Sequence, residues 1–234
     1  MSKVRYSETA AKKTITVEGL DSVKRALGDL QKKSPAAAKV AINATAREAR
    51  KVMIAAALAR YAVNRKGKEK IRELAQKKRA TNKSLSATLQ IVSRWNDLGY
   101  FDTRDRYPTH FTGRAYVLGP EVWRGRVLKE STLQDLPGVE GHTGKAFLAK
   151  FQSGHIGMVQ RQIGKKSDFT RTAAGKPRWR SKSGVVEKLQ TLGAPSGTAM
   201  HNTIWPEVEE ELQAFLLERL DAQVQKVLSK AGRT

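Results

Sequence analysis

Cysteine is missing from the 234-residue chain, and aromatic residues make up only 6% of it. Without cysteine there is no disulfide bond, no thiol nucleophile and no thiolate metal site, which suits a reducing compartment. Long apolar segments are also missing. The first 13 residues contain no apolar stretch typical of a signal peptide, and the longest apolar run is Val52–Ala59. A membrane helix needs ~20 apolar residues, so we expect a protein made in a cytoplasm, with no membrane partner.

Acidic residues are scarce relative to basic ones. Lysine and arginine total 44 against 22 aspartate and glutamate residues, which gives a net charge of +22. Such a surplus makes an isolated monomer repel itself, so we expect an anionic partner. Nucleic acid is the first candidate class, ahead of a membrane surface or an acidic protein.

The stretch from Gly144 to Gly164 has the pattern of two short strands. In an extended chain, Phe147 and Leu148 fall on opposite sides, and so do Met158 and Val159. A glycine-containing turn separates the two runs. The pattern therefore predicts a β-hairpin.

Four segments before the hairpin have clear local patterns. The β-branched run Thr14–Val17 predicts a strand, and Asp21 is in position to cap the helix that follows. An alanine-rich helix is predicted from Pro35 to about Tyr61. Residues 84–94 alternate cleanly, which predicts a strand with one wet face.

The second half of the chain predicts further strands and one long helix. Ala115–Leu118 and Val122–Leu128 are strand candidates, whereas 102–106 has the composition of a mixed-charge loop and 185–200 that of a turn-rich connection. The C-terminal helix is predicted with Pro206 in its first turn and acidic residues at its N-terminal end. Together the patterns predict an α+β fold, an antiparallel sheet packed by the alanine-rich helix and the C-terminal amphipathic helix.

A single domain is predicted for residues 1–234. Residues 1–13 are polar and basic, and we expect a flexible arm there. Residues 95–141 are expected to be an insertion or an elaboration of the sheet. Residues 165–184 lack any apolar period, which predicts a long basic loop.

Two segments concentrate the positive charge, residues 64–83 and residues 165–184. Apolar side chains in the first segment could anchor a helix there. Its basic residues either form a solvated face or contact phosphate, and the second segment contacts nucleic acid or orders against a neighbouring subunit. The candidate DNA- or partner-contact residues are Arg65, Lys66, Lys68, Lys70, Lys165, Lys166, Arg171, Lys176, Arg178, Trp179, Arg180 and Lys182.

The sequence gives no positive evidence for catalysis or for a cofactor. The four histidines have no metal-binding spacing, and residues 138–145 (GVEGHTGK) lack the hydroxyl residue that completes a phosphate-binding loop. Asp102 and Asp105 would suit a nuclease pair, but Arg104 and Arg106 are expected to neutralise them. We therefore predict no catalytic and no metal-binding residues.

Several segments, taken in order, resemble a known family. They are residues 15–20 (ITVEGL), 41–47 (AINATAR), 78–81 (KRAT), 146–149 (AFLA), 153–157 (SGHIG) with Arg161, and 192–196 (LGAPS) with Met200 before the last helix. This order is similar to that of the minor tail protein Z family, the tail completion proteins of tailed bacteriophages. The likeness covers about 14–94 and 144–228, whereas 95–141 and 165–184 are longer than the family leads one to expect.

The resemblance implies a non-enzymatic virion protein at the head-proximal end of the tail. It implies a homo-oligomeric ring that contacts the tail terminator, the tail tube and the head–tail connector. Basic residues facing such a ring's lumen would attract genomic double-stranded DNA without reading its sequence. Charge alone leaves open a free nucleic-acid-binding protein, and Asp102 and Asp105 leave open a DNA-processing nuclease.

Overall fold

The computed structural model describes residues 3–9, 12–18, 20–91, 97–105, 123–150, 156–167 and 185–232. Helices and antiparallel sheets are both present, so the predicted α+β class is confirmed. Contacts divide the chain into two compact units, where composition predicts a single domain. We call residues 1–59, 69–94 and 197–234 the terminal unit, and residues 60–68 and 95–196 the central unit.

The terminal unit contains a four-stranded antiparallel sheet. Its strands are β1 (Lys3–Thr9), β2 (Lys12–Glu18), β3 (Leu74–Lys78) and β4 (Ser86–Ile91), in the spatial order β1-β2-β4-β3. The predicted strands at 14–17 and 84–94 are thus confirmed within β2 and β4. The region predicted to be a flexible arm contains β1 and the beginning of β2, because the two strands pair in antiparallel register.

One face of this sheet is buried and the other is open. Ile15, Ala87 and Leu89 are fully buried, and Ile15 lies opposite Ala87 in the register of β2 and β4. The alternate residues of β4 are half-exposed, as the period-2 pattern predicts. We call the face with these partly exposed residues the open face.

Three helices precede β3. Helix α1 (Asp21–Leu27) continues into a 3-10 helix at Gly28–Lys33, and α2 (Ser34–Arg60) follows directly. The prediction that Asp21 caps α1 is wrong, because Leu20 occupies the N-cap and Asp21 is the first helical residue. Helix α3 (Arg65–Arg72) is short, and the boundary between the two units falls within it.

The alanine-rich helix α2 confirms the prediction from Pro35 to Tyr61 almost in full. Its buried face includes Ala41, Ala46, Ala49 and Met53, all with no exposed surface. A hydrogen bond from Gln76 Nε2 of β3 to Asn43 Oδ1 of α2 (3.3 Å) places this helix on the buried face.

The C-terminal helix α4 spans Gly197–Ala231 and is about 52 Å long at 1.5 Å per residue. It begins nine residues before Pro206, so the prediction that Pro206 stands in the first turn is wrong. Buried Met200, Ile204 and Trp205 extend the apolar stripe towards the N-terminus, and their burial stabilises the additional turns. The acidic residues from Glu207 onward therefore lie inside the helix rather than at its N-terminal end.

The central unit contains two three-stranded antiparallel sheets. One has the order β10-β9-β8 and the other β5-β6-β7. The bounds are β5 (Asp102–Asp105), β6 (Trp123–Arg126), β7 (Gln134–Asp135), β8 (Phe147–Lys150), β9 (Ile156–Lys166) and β10 (Glu187–Thr191).

The predicted hairpin is confirmed, because β8 and β9 pair with Phe147 opposite Val159 and Leu148 opposite Met158. The strand predicted at 122–128 is also confirmed as β6, whereas the one at 115–118 lies outside the described residues. Two predictions are wrong: β5 occupies the expected mixed-charge loop, and β10 lies in the expected turn-rich connection. Both strands pair with a partner distant in sequence, which local composition does not encode.

Candidate nucleic-acid contacts and a buried lysine

The basic residues at the beginning of α3 are held by a well-defined cap in the central unit. Asn64 Oδ1 accepts a hydrogen bond from the backbone N–H of Gly67 (3.1 Å), and its Nδ2 donates to the carbonyl of Gly99 (2.7 Å). A side chain at Gly67 would collide with the Tyr100 carbonyl oxygen. Arg65, Lys66 and Lys68 are exposed.

Lys70 differs from the other α3 candidates because it belongs to the terminal unit and is half-buried. Its Nζ lies 2.8 Å from Glu73 Oε1. The helix predicted for this segment ends at Arg72, and β3 begins at Leu74, which is fully buried. The ion pair partly neutralises Lys70 and so weakens it as a phosphate-contact candidate.

The second basic segment is described only at its beginning. Strand β9 continues to Lys166, so Lys165 and Lys166 are strand residues with exposed side chains, not loop residues as predicted. Gly164, with φ of +75°, precedes them in a conformation that favours glycine. The remaining candidates lie outside the described residues: Arg171, Lys176, Arg178, Trp179, Arg180 and Lys182.

The aspartate considered for a nuclease pair is engaged in an ion pair. Arg126 Nε lies 2.8 Å from Asp102 Oδ2, and Arg126 Nη1 donates to the carbonyl of Lys129 (3.1 Å). Arg126 of the neighbouring strand is thus one partner of Asp102, and the sequence analysis did not identify it. This pair borders an open cavity of about 380 Å³ with Phe101 and Asn64 among its lining residues.

The described histidines do not form a metal site. His142 is exposed, and His201 of α4 is buried with its Nε2 3.0 Å from the carbonyl oxygen of Ile71. Burial lowers the pKa of His201, and its hydrogen bond to Ile71 opposes that effect. Across the described part of the chain, no group of three or more histidine, aspartate or glutamate residues is arranged to hold a metal ion.

A feature that the sequence analysis missed is a lysine in the core of the terminal unit. Lys13 of β2 lies opposite Leu89, has no exposed surface, and places its Nζ 5.7 Å from the centroid of the Trp205 ring. Burial lowers its pKa from 10.5 to about 8, and the charge of Glu209 partly opposes this. The positive charge of Lys13 also lowers the pKa of His201. The sequence already contained a sign of this burial. Lys13 lies two residues before Ile15, so both side chains fall on the same face of the strand.

Comparisons with protein-family models, with curated proteins and with solved structures found no significant match. Among the described residues, no helix has the length and apolar character needed to cross a membrane.

Proposed function

We propose that this chain is a structural virion protein of a tailed bacteriophage that completes the tail at its head-proximal end. In this role it forms a homo-oligomeric ring around the path of the genomic double-stranded DNA and contacts tail and neck proteins. It has no enzymatic activity and needs no cofactor. The single observation that carries the proposal is the display of surplus positive charge on ordered, exposed elements.

Two of these elements belong to the central unit. The beginning of α3 presents Arg65, Lys66 and Lys68 on a capped helix, and the end of β9 presents Lys165 and Lys166. A net charge of +22 is costly for an isolated monomer and becomes favourable when the subunits surround phosphates. The charge alone calls for a polyanionic partner. The tail-completion role rests on the order of the segments that resemble the minor tail protein Z family.

The decisive experiment removes the gene from the phage or prophage that encodes it. We expect lysates without the protein to contain separate heads and tails with few infectious particles. Supplying the protein in trans should restore infectivity, and antibody labelling should place it at the tail end that meets the head. Normal particles and normal infectivity without the protein would contradict the proposal.

The same charge also suits a free nucleic-acid-binding protein, and the labelling experiment separates the two functions. A tail component co-purifies with particles, whereas a free protein remains in the soluble fraction of the lysate. A nuclease is less favoured, because Arg126 forms an ion pair with Asp102, one of the two carboxylates that it would use. Divalent-metal-dependent DNA cleavage that Asp105→Ala abolishes would nevertheless establish that reading.

A further inference from the structure

The open face of the sheet in the terminal unit carries hydroxyl and amide groups beside exposed lysine. The alternating residues on this face are Lys12, Thr14 and Thr16 of β2, and Ser86, Thr88 and Gln90 of β4. Their hydroxyls bond across the strands: Thr14 Oγ1 lies 3.3 Å from Thr88 Oγ1, and Thr16 Oγ1 donates to Ser86 Oγ at 3.3 Å. These bonds fix the hydroxyl groups in rows along the face.

A β-bulge in β3 adds two cations to the same face. Gln76 lies opposite Leu89, but Lys78 lies opposite Thr88, so the register shifts at Lys77. Gln76 points to the buried face, where it reaches α2, and Lys77 follows it on the open face. Lys78 shares the open face with Thr88. A regular ladder would place Lys78 opposite Ala87 on the buried face, so the bulge keeps both lysines exposed.

The turn after β3 is held rigidly in place. Asn43 of α2 accepts a hydrogen bond from the backbone N–H of Ala80 (3.0 Å) and donates to the Ala80 carbonyl (3.0 Å). Thr81 and Ser84 close the turn, since each backbone N–H donates to the other's carbonyl oxygen at 2.8 and 3.2 Å. The exposed side chains of Arg79 and Lys83 flank these bonds. A preordered turn loses little conformational entropy when it binds a ligand.

The charge and residue types of this surface select one kind of ligand. It presents five cations, Lys12, Lys77, Lys78, Arg79 and Lys83, while residues 12–16 and 74–91 contain no acidic residue. The same ranges contain no aromatic residue, so no side chain there stacks on an unpaired base. Within these two ranges the lysine and hydroxyl groups match phosphate oxygens.

We propose that this open face, together with the turn after β3, binds the phosphate backbone of duplex DNA without reading its sequence. The inference rests on the proposed function only for the choice of duplex DNA as the polyanion. It places a DNA contact in the terminal unit, on residues of β2 and of the first basic segment that are not among the candidate contacts named from the sequence. Asn43 is a positioning residue, because it acts on the ligand only through the turn.

The test compares two variants that lose the same charge. One carries Lys77→Gln, Lys78→Gln and Arg79→Gln on the surface. The control carries the substitutions Lys32→Gln, Lys33→Gln and Lys226→Gln, at exposed positions in the 3-10 helix and in α4. Each triple variant lowers the net charge from +22 to +19 (22 − 3). The probe is a fluorescently labelled duplex of about 25 base pairs, titrated between about 50 and 200 mM NaCl.

The surface variant should flatten the slope of log K against log salt by about 3, because each phosphate contact contributes about 0.9. The loss of affinity across that salt range should therefore be about 40-fold smaller than for the wild type. The control variant should keep the wild-type slope. Circular dichroism and thermal melting should show both variants folded, so that a change in slope reports binding.

Three results would overturn the proposal. They are an unchanged slope in the surface variant, an equal flattening in the control, or tighter binding to a single strand of the same length. Failure of this proposal can be distinguished from failure of the proposed function. A protein that completes tails but keeps its salt slope in the surface variant refutes only this contact. A protein that shows the expected slopes but is missing from particles refutes only the tail role.

Discussion

Replacing Lys13 by methionine should stabilise the terminal unit. Methionine keeps the unbranched shape of the side chain and removes the ammonium from a site with no exposed surface. Burial lowers the pKa of Lys13 from 10.5 to about 8, and a tenfold change in proton affinity is worth about 1.4 kcal/mol. The full penalty at neutral pH is then about 3 kcal/mol, and relaxation of the surrounding protein reduces it to about 2 kcal/mol.

The sign of the pH dependence follows from the direction of this shift. Because the pKa of Lys13 is lower in the folded chain, the unfolded chain binds more protons between pH 8 and 10.5. The free energy of unfolding of the wild type should therefore rise with pH across that window, by about 2 kcal/mol from this residue. Lys13→Met should be more stable than the wild type at pH 7, and the difference should fall as the pH rises to 10.5.

Two neighbours set the remaining contributions. The Trp205 ring 5.7 Å from Lys13 Nζ favours the charged form through a cation–π contact worth about 1–2 kcal/mol when desolvated. Glu209 of the same helix also favours the charged form. The Glu209 effect is already contained in the pKa of about 8. The cation–π contact is additional, so it reduces the expected gain to at most about 1 kcal/mol. His201 should titrate at a higher pH in Lys13→Met, because the positive charge that lowers its pKa is gone.

The assay is urea unfolding followed by circular dichroism at pH 7 and 10, with amide hydrogen exchange of β2 to localise the change. Lys12→Met is the matched control, since Lys12 is the adjacent residue with its side chain exposed on the open face. Its free energy of unfolding should change by no more than about 0.5 kcal/mol. If Lys13→Met destabilises the unit by more than about 1 kcal/mol while Lys12→Met does not, the ammonium has a net favourable role and the reasoning is refuted.

Three further predictions concern single contacts, each measured by urea unfolding. Asn43→Ala should cost about 2 kcal/mol, because the backbone N–H of Ala80 loses its partner, and it should weaken duplex binding without changing the salt slope; a changed slope would contradict its positioning role. Gly67→Ala should destabilise the central unit by about 1–3 kcal/mol although alanine is the better helix former, and a gain in stability would show that the backbone yields to the new side chain. Asp102→Asn should cost about 1–2 kcal/mol because Arg126 loses its carboxylate partner, and an unchanged midpoint would mean that solvent compensates the guanidinium.

The sequence predicted the candidate site only in part. Charge counting singled out α3 and the end of β9, and the exposure of Arg65 and Lys165 agrees with a role at the surface. Charge counting did not distinguish Lys70 from the other basic residues of α3, because its ion pair with Glu73 forms only when the chain folds. It also did not select Lys77 and Lys78 as one surface, because the bulge that places both on the open face depends on pairing with β4.

By itself the sequence determined the elements whose side chains repeat with a regular period. Alternation determined β4 and the β8–β9 hairpin, and the alanine-rich run determined α2, because burial of one face follows directly from such a period. Only the tertiary structure decided the pairing of β1, β5 and β10, and the position where α4 begins. These depend on partners distant in the chain, whose burial or hydrogen bonds outweigh local preference. Lys13 is the clearest case, since its sequence neighbours indicate a basic arm and only the packing of α4 on the sheet makes it a core residue.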